Sequence, residues 1–455
     1  FYGANQVNAT LSSVLTNIWN RMFPNAEKHA NSIKKLPYAL VDITVDEDGF
    51  VFTSNGFTDL STDARKAMIR RLSPGTGDNI LKPGGVFGDV KTLALDDMWK
   101  QDFCDIEVDE NGFMYALDSR YGKVFVYDSD CNTVTTFGGG MKKGNQKGTF
   151  MTSCAIVVKN NGEQILVADA STGFITAFNI NEYGKKVKEL DFLTLDGNYD
   201  MVKEGWQEVL AQDANSQLAY SGLANAYLEE EDYDTALKYA KMGYDKGTYA
   251  VAFEYVRKDF ISDNFTWIFI LIVVLVVGAI AFMFITNKKK VVLIKNKSLN
   301  LMVSTAIHPS NSFTDIKEKH LGSLPLCFML IVLYYVVTVT RAIAGGFMFT
   351  NYDPSSFNSI IELVRSVGLV VLWIVANWLV STLLGGKGKI KEIVIVTCYS
   401  LQPLILEDII HTILTNVLLP DEAAFLGILS AIATIYFCIM LVIGMLKIHD
   451  YSMGK

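Results

Sequence analysis

Hydrophobic and polar positions divide the chain into two unlike parts. Polar residues are frequent up to Asn264, whereas long apolar runs dominate from Leu324 onward. Between these parts, the stretch from Phe265 to Ile285 contains no charged residue. About 20 apolar residues match the ~30 Å hydrocarbon layer of a bilayer, so the pattern predicts a membrane anchor helix over 265–286. A buried core helix is the alternative, but a core helix of this length normally keeps a polar face.

Lysines follow the predicted anchor directly, at Lys288, Lys289 and Lys290. Basic residues that flank a span mark its cytoplasmic side. The half of the chain before the anchor is therefore expected to be extracytoplasmic, and the rest is expected in the membrane or the cytoplasm.

The second half of the chain contains four more apolar runs that are long enough to span a bilayer. Their links alternate in charge, because Gly385–Lys391 carries three lysines while Asn351–Asn358 and Leu419–Glu422 carry only acids. With the lysines inside, the spans begin and end in the cytoplasm. The runs are 325–349, 360–384, 392–419 and 423–446.

Two stretches of this half are less regular than the others. Residues 298–324 are amphipathic and contain Pro309, which predicts a pair of cytoplasmic interfacial helices. The run 392–419 is interrupted by Pro403, so it forms either one span or two shorter segments. Two segments would place the C-terminus outside.

Strict alternation of apolar and polar residues recurs three times before residue 180. The units open at Val41 (VDITVDEDGFVF), Cys104 (CDIEVDENGFMY) and Cys154 (CAIVVKNNGEQILVAD). Each is typical of a strand, a polar turn with glycine and a second strand. Repeats every ~50 residues with several antiparallel strands fit the blades of a β-propeller. Three units do not close a ring, so the propeller is expected to be incomplete at its N-terminus or to contain a divergent blade in residues 1–40.

Helical periodicity replaces this alternation after residue 199. Residues 216–244 are typical of two helices joined by a short turn, with small residues where the helices touch. A preceding and a following helix are predicted at 201–210 and 248–261, and residues 199–262 would form a neck or a groove for an extended peptide. The predicted packing positions are Trp206, Tyr220, Leu223, Ala224, Tyr227, Ala236 and Ala240.

Composition and motifs narrow the possible chemistry. The formal net charge of −8 argues against a nucleic-acid partner. The six cysteines show neither CxxC nor Cys/His metal spacing. The sequence also contains no G-x-S-x-G, no H-E-x-x-H and no phosphate-binding G-x-x-x-x-G-K-[ST] motif. We therefore expect a protein that is not an enzyme and that holds neither cofactor nor metal.

Ionisable and polar residues inside the predicted spans form the main candidate site. Such residues are costly in a membrane and usually face protein or water. They belong either to a pathway for protons or substrate or to pairs that hold helices together, and the second hypothesis is favoured. The candidate network is Arg341, Arg365, Asn377, Glu407, Asp408 and His411.

The lysine-rich link between two spans is a second candidate. Gly385, Lys387, Gly388 and Lys389 are glycine-rich and basic, but they join two spans rather than a strand and a helix. This context favours a tight cytoplasmic turn over a phosphate-binding loop, and the turn is compatible with contacts to anionic lipid headgroups.

Three parts of the chain resemble known families. Residues 137–179 (FGGGMKKGNQKGTFMTSCAIVVKNNGEQILVADASTGFITAFN) resemble an NHL repeat, and the helical positions given above resemble a tetratricopeptide (TPR) repeat. Residues 305–455 resemble the Yip family in its bacterial form, through HPSNSFTDIKEKHLGSLP, WIVANWLVSTLLGGKGKIKEIVIVTCYSLQP and LPDEAAFLGILSAIATIY. These resemblances imply a propeller that binds partners on one face and a helical bundle without catalytic activity. They also imply an accessory component of a carbohydrate ABC transporter.

The expected architecture is a multidomain membrane protein with an extracytoplasmic all-β, NHL-like propeller, a short TPR-like helical neck and a transmembrane helix bundle. The expected segments are 1–195 (propeller), 199–262 (neck), 265–286 (anchor), 298–324 (interfacial helices) and 325–448 (Yip-type domain).

The function expected from this architecture is that of an accessory or scaffold subunit in the bacterial cytoplasmic membrane. Its expected partners are membrane lipids, the permease subunits of an ABC importer and, as a further candidate, a solute-binding protein. Two alternatives stay open: the Yip-type domain is itself a transporter or channel, or the propeller is a glycan or solute sensor.

Overall fold

The computed structural model describes residues 40–55, 68–75, 79–81, 87–88, 101–139, 143–144, 146–288, 296–350, 357–383 and 385–451. It divides into two compact units, Phe1–Ala226 and Tyr227–Lys455. The predicted divergent blade in residues 1–40, except its last residue, and the lysines at 289 and 290 lie outside the described residues.

Ten strands of the first unit form three antiparallel sheets, each with its strands in chain order. This arrangement confirms the three predicted strand–turn–strand units. Sheet 1 contains β1 (Leu40–Val45), β2 (Val51–Asn55) and β3 (Ile69–Leu72); sheet 2 contains β4 (Phe103–Val108), β5 (Met114–Asp118), β6 (Val124–Tyr127) and β7 (Thr133–Phe137); sheet 3 contains β8 (Ser153–Lys159), β9 (Gln164–Asp169) and β10 (Ile175–Asn179).

Each sheet repeats the same irregularity near the start of its first strand. The pairing register shifts between Leu40 and Asp42, between Phe103 and Asp105, and between Ser153 and Ala155. The skipped residue in each sheet is the one that opens its sequence unit. A bulge at the same position increases the local twist of all three sheets in the same way.

The acids of the first two hairpin turns hold the turn backbone. Asp46 Oδ1 accepts from the Phe50 N–H at 2.8 Å, and Asp109 Oδ1 accepts from the Phe113 N–H at 3.0 Å. Gly49 adopts φ +83°, which favours glycine. The carboxylates of these turns therefore act as caps for backbone donors.

Sheet 2 lies between the other two sheets, and its two faces enter different hydrophobic cores. Met114 and Ala116 pack with residues of sheet 1, whereas Tyr115 and Leu117 pack with residues of sheet 3. Adjacent strand residues point to opposite faces, so one strand serves both cores. Each large apolar side chain buried in this way stabilises the unit by roughly 1.5–3 kcal/mol.

Carboxylates also link successive sheets at equivalent positions. Asp42 Oδ2 accepts from the Ile106 N–H at 3.1 Å, and Asp105 Oδ2 accepts from the Ile156 N–H at 2.7 Å. Ala155 occupies the corresponding position of sheet 3. Sheet 3 is followed by a helix and not by another sheet. Its first strand therefore lacks the linking carboxylate at the point where there is no further sheet to link.

Three helices complete the first unit: α1 (Glu182–Leu195), α2 (Tyr199–Gln212) and α3 (Gln217–Glu229), the last of which crosses the boundary between the units. The all-β segment predicted to reach residue 195 therefore ends at Asn179. The Asn181 side chain caps α1 by accepting from the Gly184 N–H at 2.8 Å. Residues buried at helical spacing, such as Val187, Leu190 and Asp191, then fix α1 in place of a strand.

The second unit begins with α4 (Tyr233–Met242) and a 43-residue helix, α5 (Lys246–Lys288). We expected a neck helix at 248–261 and a separate anchor at 265–286, and the structure joins them into one helix. The stretch between them contains no proline. Since extending an existing helix is easier than nucleating a new one, the helix continues without a break.

The remaining helices are α6 (Lys297–Ile307), α7 (Pro309–Glu318), α8 (Leu324–Ala344), α9 (Ser359–Leu383, with a π-helical turn at Val364–Gly368), α10 (Ile390–Ser400), α11 (Gln402–Thr415) and α12 (Ala423–His449). Helices α6 and α7 are the predicted pair, and they separate at His308 because Pro309 begins the second helix. Helix α10 occupies the centre of the bundle, with Ile393, Val396 and Tyr399 fully buried.

The run 392–419 is neither one regular helix nor two spans. Helices α10 and α11 meet at Leu401, next to Pro403, and together form one candidate span, Ile390–Thr415. With Lys246–Gly278, Leu324–Ala344, Ser359–Leu383 and Pro420–His449, the described residues contain five helices long and apolar enough to cross a membrane.

Contacts within the second unit show which elements lie at each of its two ends. Lys246 Nζ donates to the Thr350 carbonyl at 2.6 Å, and Arg257 forms an ion pair with Glu422 at 2.6 Å. The start of α5 and the links after α8 and α11 therefore share one end. At the other end, the Lys317 ammonium donates to the Lys387 carbonyl at 3.1 Å.

Candidate functional site

Four of the six predicted network residues meet between α8 and α11. Arg341 Nη1 lies 2.9 Å from Glu407 Oε2 and 2.7 Å from Asp408 Oδ1. His411 Nδ1 lies 3.1 Å from Glu407 Oε1, and its Nε2 lies 3.3 Å from Arg341 Nη2. We call these four residues the Arg341 cluster.

Helix geometry explains how the Arg341 cluster forms. Glu407 and His411 are four residues apart on α11, so they share a face of the helix. Arg341 lies in the last turn of α8, where a cation interacts favourably with the helix dipole. Asn416 Nδ2 donates to the Ala344 carbonyl at 2.9 Å, which holds the two helix ends together.

Every carboxylate oxygen of the Arg341 cluster lies within hydrogen-bond distance of a donor. Arg341 serves one oxygen of each acid, His411 and the Ser430 hydroxyl serve Glu407 Oε1, and the Thr338 hydroxyl lies 3.2 Å from Asp408 Oδ2. Both acids are 6% exposed. A buried charge that is paired in this way holds helices together, because separating them would leave it without partners.

The hydrogen bonds also define the tautomer of His411. A guanidinium can only donate, so His411 Nε2 accepts from Arg341, and the Nδ1–H donates a hydrogen bond to Glu407. In this arrangement the His411 ring is the neutral Nδ1–H tautomer.

Arg365 and Asn377 lie outside the Arg341 cluster. Arg365 pairs with Glu362 on its own helix at 2.9 Å, and its side chain is 71% exposed. Asn377 Oδ1 lies 3.3 Å from His449 Nε2. The predicted six-residue network is therefore wrong for these two residues, because helical position within a span does not define which neighbouring helix a side chain faces.

The lysine-rich turn closes over His449, at the end of α12. The Gly388 N–H donates to His449 Nδ1 at 3.1 Å, which leaves Nε2 to donate to Asn377. A Cβ at Gly386 or Gly388 would lie 2.6 Å from a ring atom of His449, so both positions require glycine for this close approach. No motif or spacing pattern indicated this role of His449 in advance.

The turn contains its own polar contacts. Gly385 adopts φ +71°, and the Gly386 N–H donates to the Ser381 carbonyl at 2.7 Å, which ends α9. The Glu392 side chain accepts from the Lys389 N–H at 3.0 Å and thereby caps the start of α10. The side chain of Lys387 is 72% exposed and lies 3.5 Å from Asp450. These features fit the interpretation of a tight turn rather than a phosphate-binding loop.

The predicted helical packing positions differ in burial. Tyr220 and Tyr227 are half-buried, and the others, Trp206, Leu223, Ala224, Ala236 and Ala240, are fully buried. Trp206 Nε1 donates to the Thr194 hydroxyl at 2.9 Å, and the absence of a side chain at Gly222 leaves room for the indole ring. Gly222 therefore belongs with these positions, although its helix propensity alone would not select it.

Buried acids of the first unit have strongly altered ionisation. Burial, followed by the hydrogen bond with Asp42, raises the pKa of Asp105 from 3.8 to about 7. Burial and the nearby charges of Asp128 and Asp130 raise the pKa of Asp191 to about 8. In the part of the chain that the structure describes, no group of three such side chains is arranged to hold a metal ion.

Together, these features define the class of this protein. Five candidate spans, one of which contains the buried helix α10, follow a unit of repeated β-sheets in the chain and define a multi-pass membrane protein. Residues 303–455 match the model of the Yip1 domain, which confirms the predicted resemblance for the C-terminal third and includes the Arg341 cluster and the lysine-rich turn. Comparison with curated proteins gives no match. The Yip1 match does not cover residues 1–302, so the NHL and TPR resemblances stay predictions.

Proposed function

We propose that this protein is a non-enzymatic accessory subunit that docks with a partner membrane complex, a carbohydrate importer of the ABC class. It would reside in the bacterial cytoplasmic membrane, with the sheets on the extracytoplasmic side as blades of an NHL-like propeller. The first helices would form the TPR-like neck, and the Yip1 domain would lie in the membrane with its C-terminus in the cytoplasm.

The observation that carries this proposal is the exposed surface of α5. Among the residues that the structure describes, none in its most apolar 18-residue window is buried. Trp267 and Phe265 are 73% and 62% exposed, and Val274 is 60% exposed. In contrast, 61% of the corresponding window of Ile390–Thr415 is buried. A partner helix can pack along α5 without displacing any contact of this chain.

The polar groups of the membrane unit support a structural role over transport. Three of the four carboxylate oxygens of the Arg341 cluster have a donor within the protein, and Asp408 Oδ2 shares the Thr338 hydroxyl with the Tyr334 carbonyl. A transport pathway needs groups that exchange partners with water or substrate. The paired cluster is better suited to hold a rigid docking surface.

Photo-crosslinking from α5 tests the docking proposal. A benzophenone amino acid replaces Val274 in cells that express the full chain, and Val337, which is 8% exposed within the bundle, provides the control. We expect a covalent adduct with a permease subunit from position 274 and none from position 337. The proposal is wrong if position 274 yields no protein adduct and the chain purifies alone in several mild detergents.

A further inference from the structure

The first unit contains a cavity of ≈ 680 Å³ between its second and third sheets, α1 and the link from α2 to α3. Sites for small molecules usually have volumes of roughly 300–1,000 Å³. The cavity does not overlap with the membrane helices or with the docking surface of α5. We call it the sheet–helix cavity.

One side of the sheet–helix cavity is aromatic. Phe137 of β7 and Phe178 of β10 lie with their ring centroids 5.0 Å apart, and Tyr115 and Tyr183 also line the cavity. The faces of aromatic rings carry partial negative charge and attract the weakly positive C–H groups of a ligand. A ligand with a flat face of C–H groups therefore fits this side.

The other side offers groups that both donate and accept hydrogen bonds. Strand β7 is an edge strand of sheet 2, so part of its backbone faces away from β6. Its exposed residues Thr133 and Thr135 line the cavity, together with Asn215 from the α2–α3 link and Gln217 at the start of α3. Hydroxyl and carboxamide groups match ligand hydroxyls, which also donate and accept.

The charges at the sheet–helix cavity argue against an anionic ligand. Among the described residues that line it, Lys188 and Asp213 carry charge. Lys188 Nζ lies 2.6 Å from Asp109 Oδ2 and also donates to the Asn161 carbonyl, and the side chains of Lys188 and Asp109 are 12% and 1% exposed. Tyr115 donates to the same Asp109 oxygen at 2.9 Å. Because Asp109 neutralises Lys188, the Lys188 ammonium is not available to bind a phosphate or carboxylate in the cavity.

We propose that the sheet–helix cavity binds an uncharged saccharide of one or two sugar units. The C–H face of a sugar ring packs against Phe137 and Phe178, and its hydroxyls bond to Thr135, Gln217 and the outward backbone of β7. This binding goes beyond the proposed docking function and does not depend on a partner complex.

Saturation-transfer NMR on the purified full chain in nanodiscs tests the proposal with glucose and six neutral disaccharides: maltose, cellobiose, lactose, sucrose, trehalose and xylobiose. Glucose 6-phosphate is the anionic comparison. Thr135→Trp would fill the cavity from an exposed strand position, where aromatic residues are well tolerated. Thr136→Trp is the matched control, because Thr136 is also exposed on β7 but does not line the cavity. Circular dichroism checks that both variants fold.

We expect saturation transfer to at least one disaccharide, about tenfold weaker binding in Thr135→Trp and unchanged binding in Thr136→Trp. Gln217→Ala, which removes one hydrogen-bonding group at the start of α3, should weaken binding as well. The proposal is overturned if neither glucose nor any of the six disaccharides binds, or if glucose 6-phosphate binds more tightly than glucose. It is also overturned if Thr135→Trp binds like the unaltered chain or if Thr136→Trp loses binding equally. The crosslinking result at Val274 has no bearing on these outcomes.

Discussion

The pairing of individual side chains determines how much each contributes to stability, and the Arg341 cluster is an example. Arg341 is the shared donor for two nearly inaccessible carboxylates on a neighbouring helix. Arg365, in the next candidate span, pairs with an acid of its own helix and remains largely exposed. Two arginines in similar apolar surroundings therefore contribute very differently to stability.

Arg341→Met should destabilise the membrane unit by about 3–5 kcal/mol, because it leaves Glu407 and Asp408 buried without their cation. Arg365→Met, the matched control, should cost about 1 kcal/mol or less. Reversible unfolding in mixed detergent micelles measures both values. Equal losses for the two variants would show that Arg341 does not act through the buried pair.

The Asp105 carboxyl makes the stability of the linked sheets depend on pH. Its pKa is raised from 3.8 to about 7, so the folded state holds a proton that the unfolded chain releases. The stabilisation is complete below pH 3.8, declines as pH rises towards about 7 and is constant above that. Asp42 and Glu107 are the acids nearby that share this environment.

Asp105→Asn should remove this decline, because an amide can keep both the bond to Asp42 and the bond from Ile156. Hydrogen–deuterium exchange of the β4 amides, corrected for intrinsic rates, measures local stability between pH 4 and pH 7. We expect falling protection in the unaltered chain and nearly constant protection in the variant. An unchanged pH profile in the variant would assign the effect to another acid.

Pair partners across helices were difficult to predict from single positions. The spacing of Glu407 and His411 indicated a shared face, and the structure adds Arg341 as their partner. It also assigns Asn377 to His449, 72 residues further along the chain. Sequence periodicity defines which face of a helix a residue occupies, but the partner depends on how the helices pack.

At the scale of elements, close approach between helices α10 and α12 organises the bundle. A Cβ at Gly444 would collide with the Val396 side chain and contact the Phe313 ring at 3.3 Å. Gly427, on the same helix, has no atom within 4 Å of the position its Cβ would occupy. The two glycines of α12 thus have different reasons to be present.

Gly444→Ala should therefore destabilise the unit by about 1–3 kcal/mol through overpacking. Gly427→Ala should be neutral or stabilising by up to about 1 kcal/mol, since alanine favours the helix. Thermal denaturation in detergent, followed by the loss of the monodisperse peak in size-exclusion chromatography, ranks the two variants. A larger loss for Gly427→Ala would contradict the proposed helix contact.

The first two hairpins were predictable because their Asp-Gly and Asn-Gly turns lie between strands of alternating apolar and polar residues. The candidate spans were predictable because a long apolar run is a strong signal for a membrane helix. The joined helix α5 was not predicted, since a change in polarity at Phe265 does not interrupt backbone hydrogen bonding. Helix α1 was also missed, because its start at Asn181 follows directly on a strand of the repeated pattern.

At the scale of the whole molecule, the contacts of Lys246 and Arg257 define one end of the membrane unit and the lysine-rich turn defines the other. The candidate spans alternate between these ends, as the charges of their links predicted. The proposed orientation adds that the end with Glu422 faces outside.

Cysteine labelling tests this orientation in a background without native cysteines. Lys238→Cys and Asp421→Cys should react with a membrane-impermeant maleimide in intact spheroplasts, whereas Lys387→Cys should react only after permeabilisation. All three positions lie outside the most apolar segments, and Lys238 is exposed on α4. Reaction of Lys387→Cys in intact spheroplasts, with protection of the other two, would reverse the orientation.

The contact between Gly388 and His449 also has a consequence for the order of events during synthesis. The two residues are 61 positions apart, and His449 lies at the end of the last long helix. The turn can therefore emerge from the ribosome and enter the membrane well before its partner exists. Until α12 has been inserted, Asn377 and the Gly388 amide must bond to water, lipid headgroups or the insertion machinery. The Gly388–His449 contact can therefore form only after translation has passed His449, which is later than the synthesis of α9 and α10.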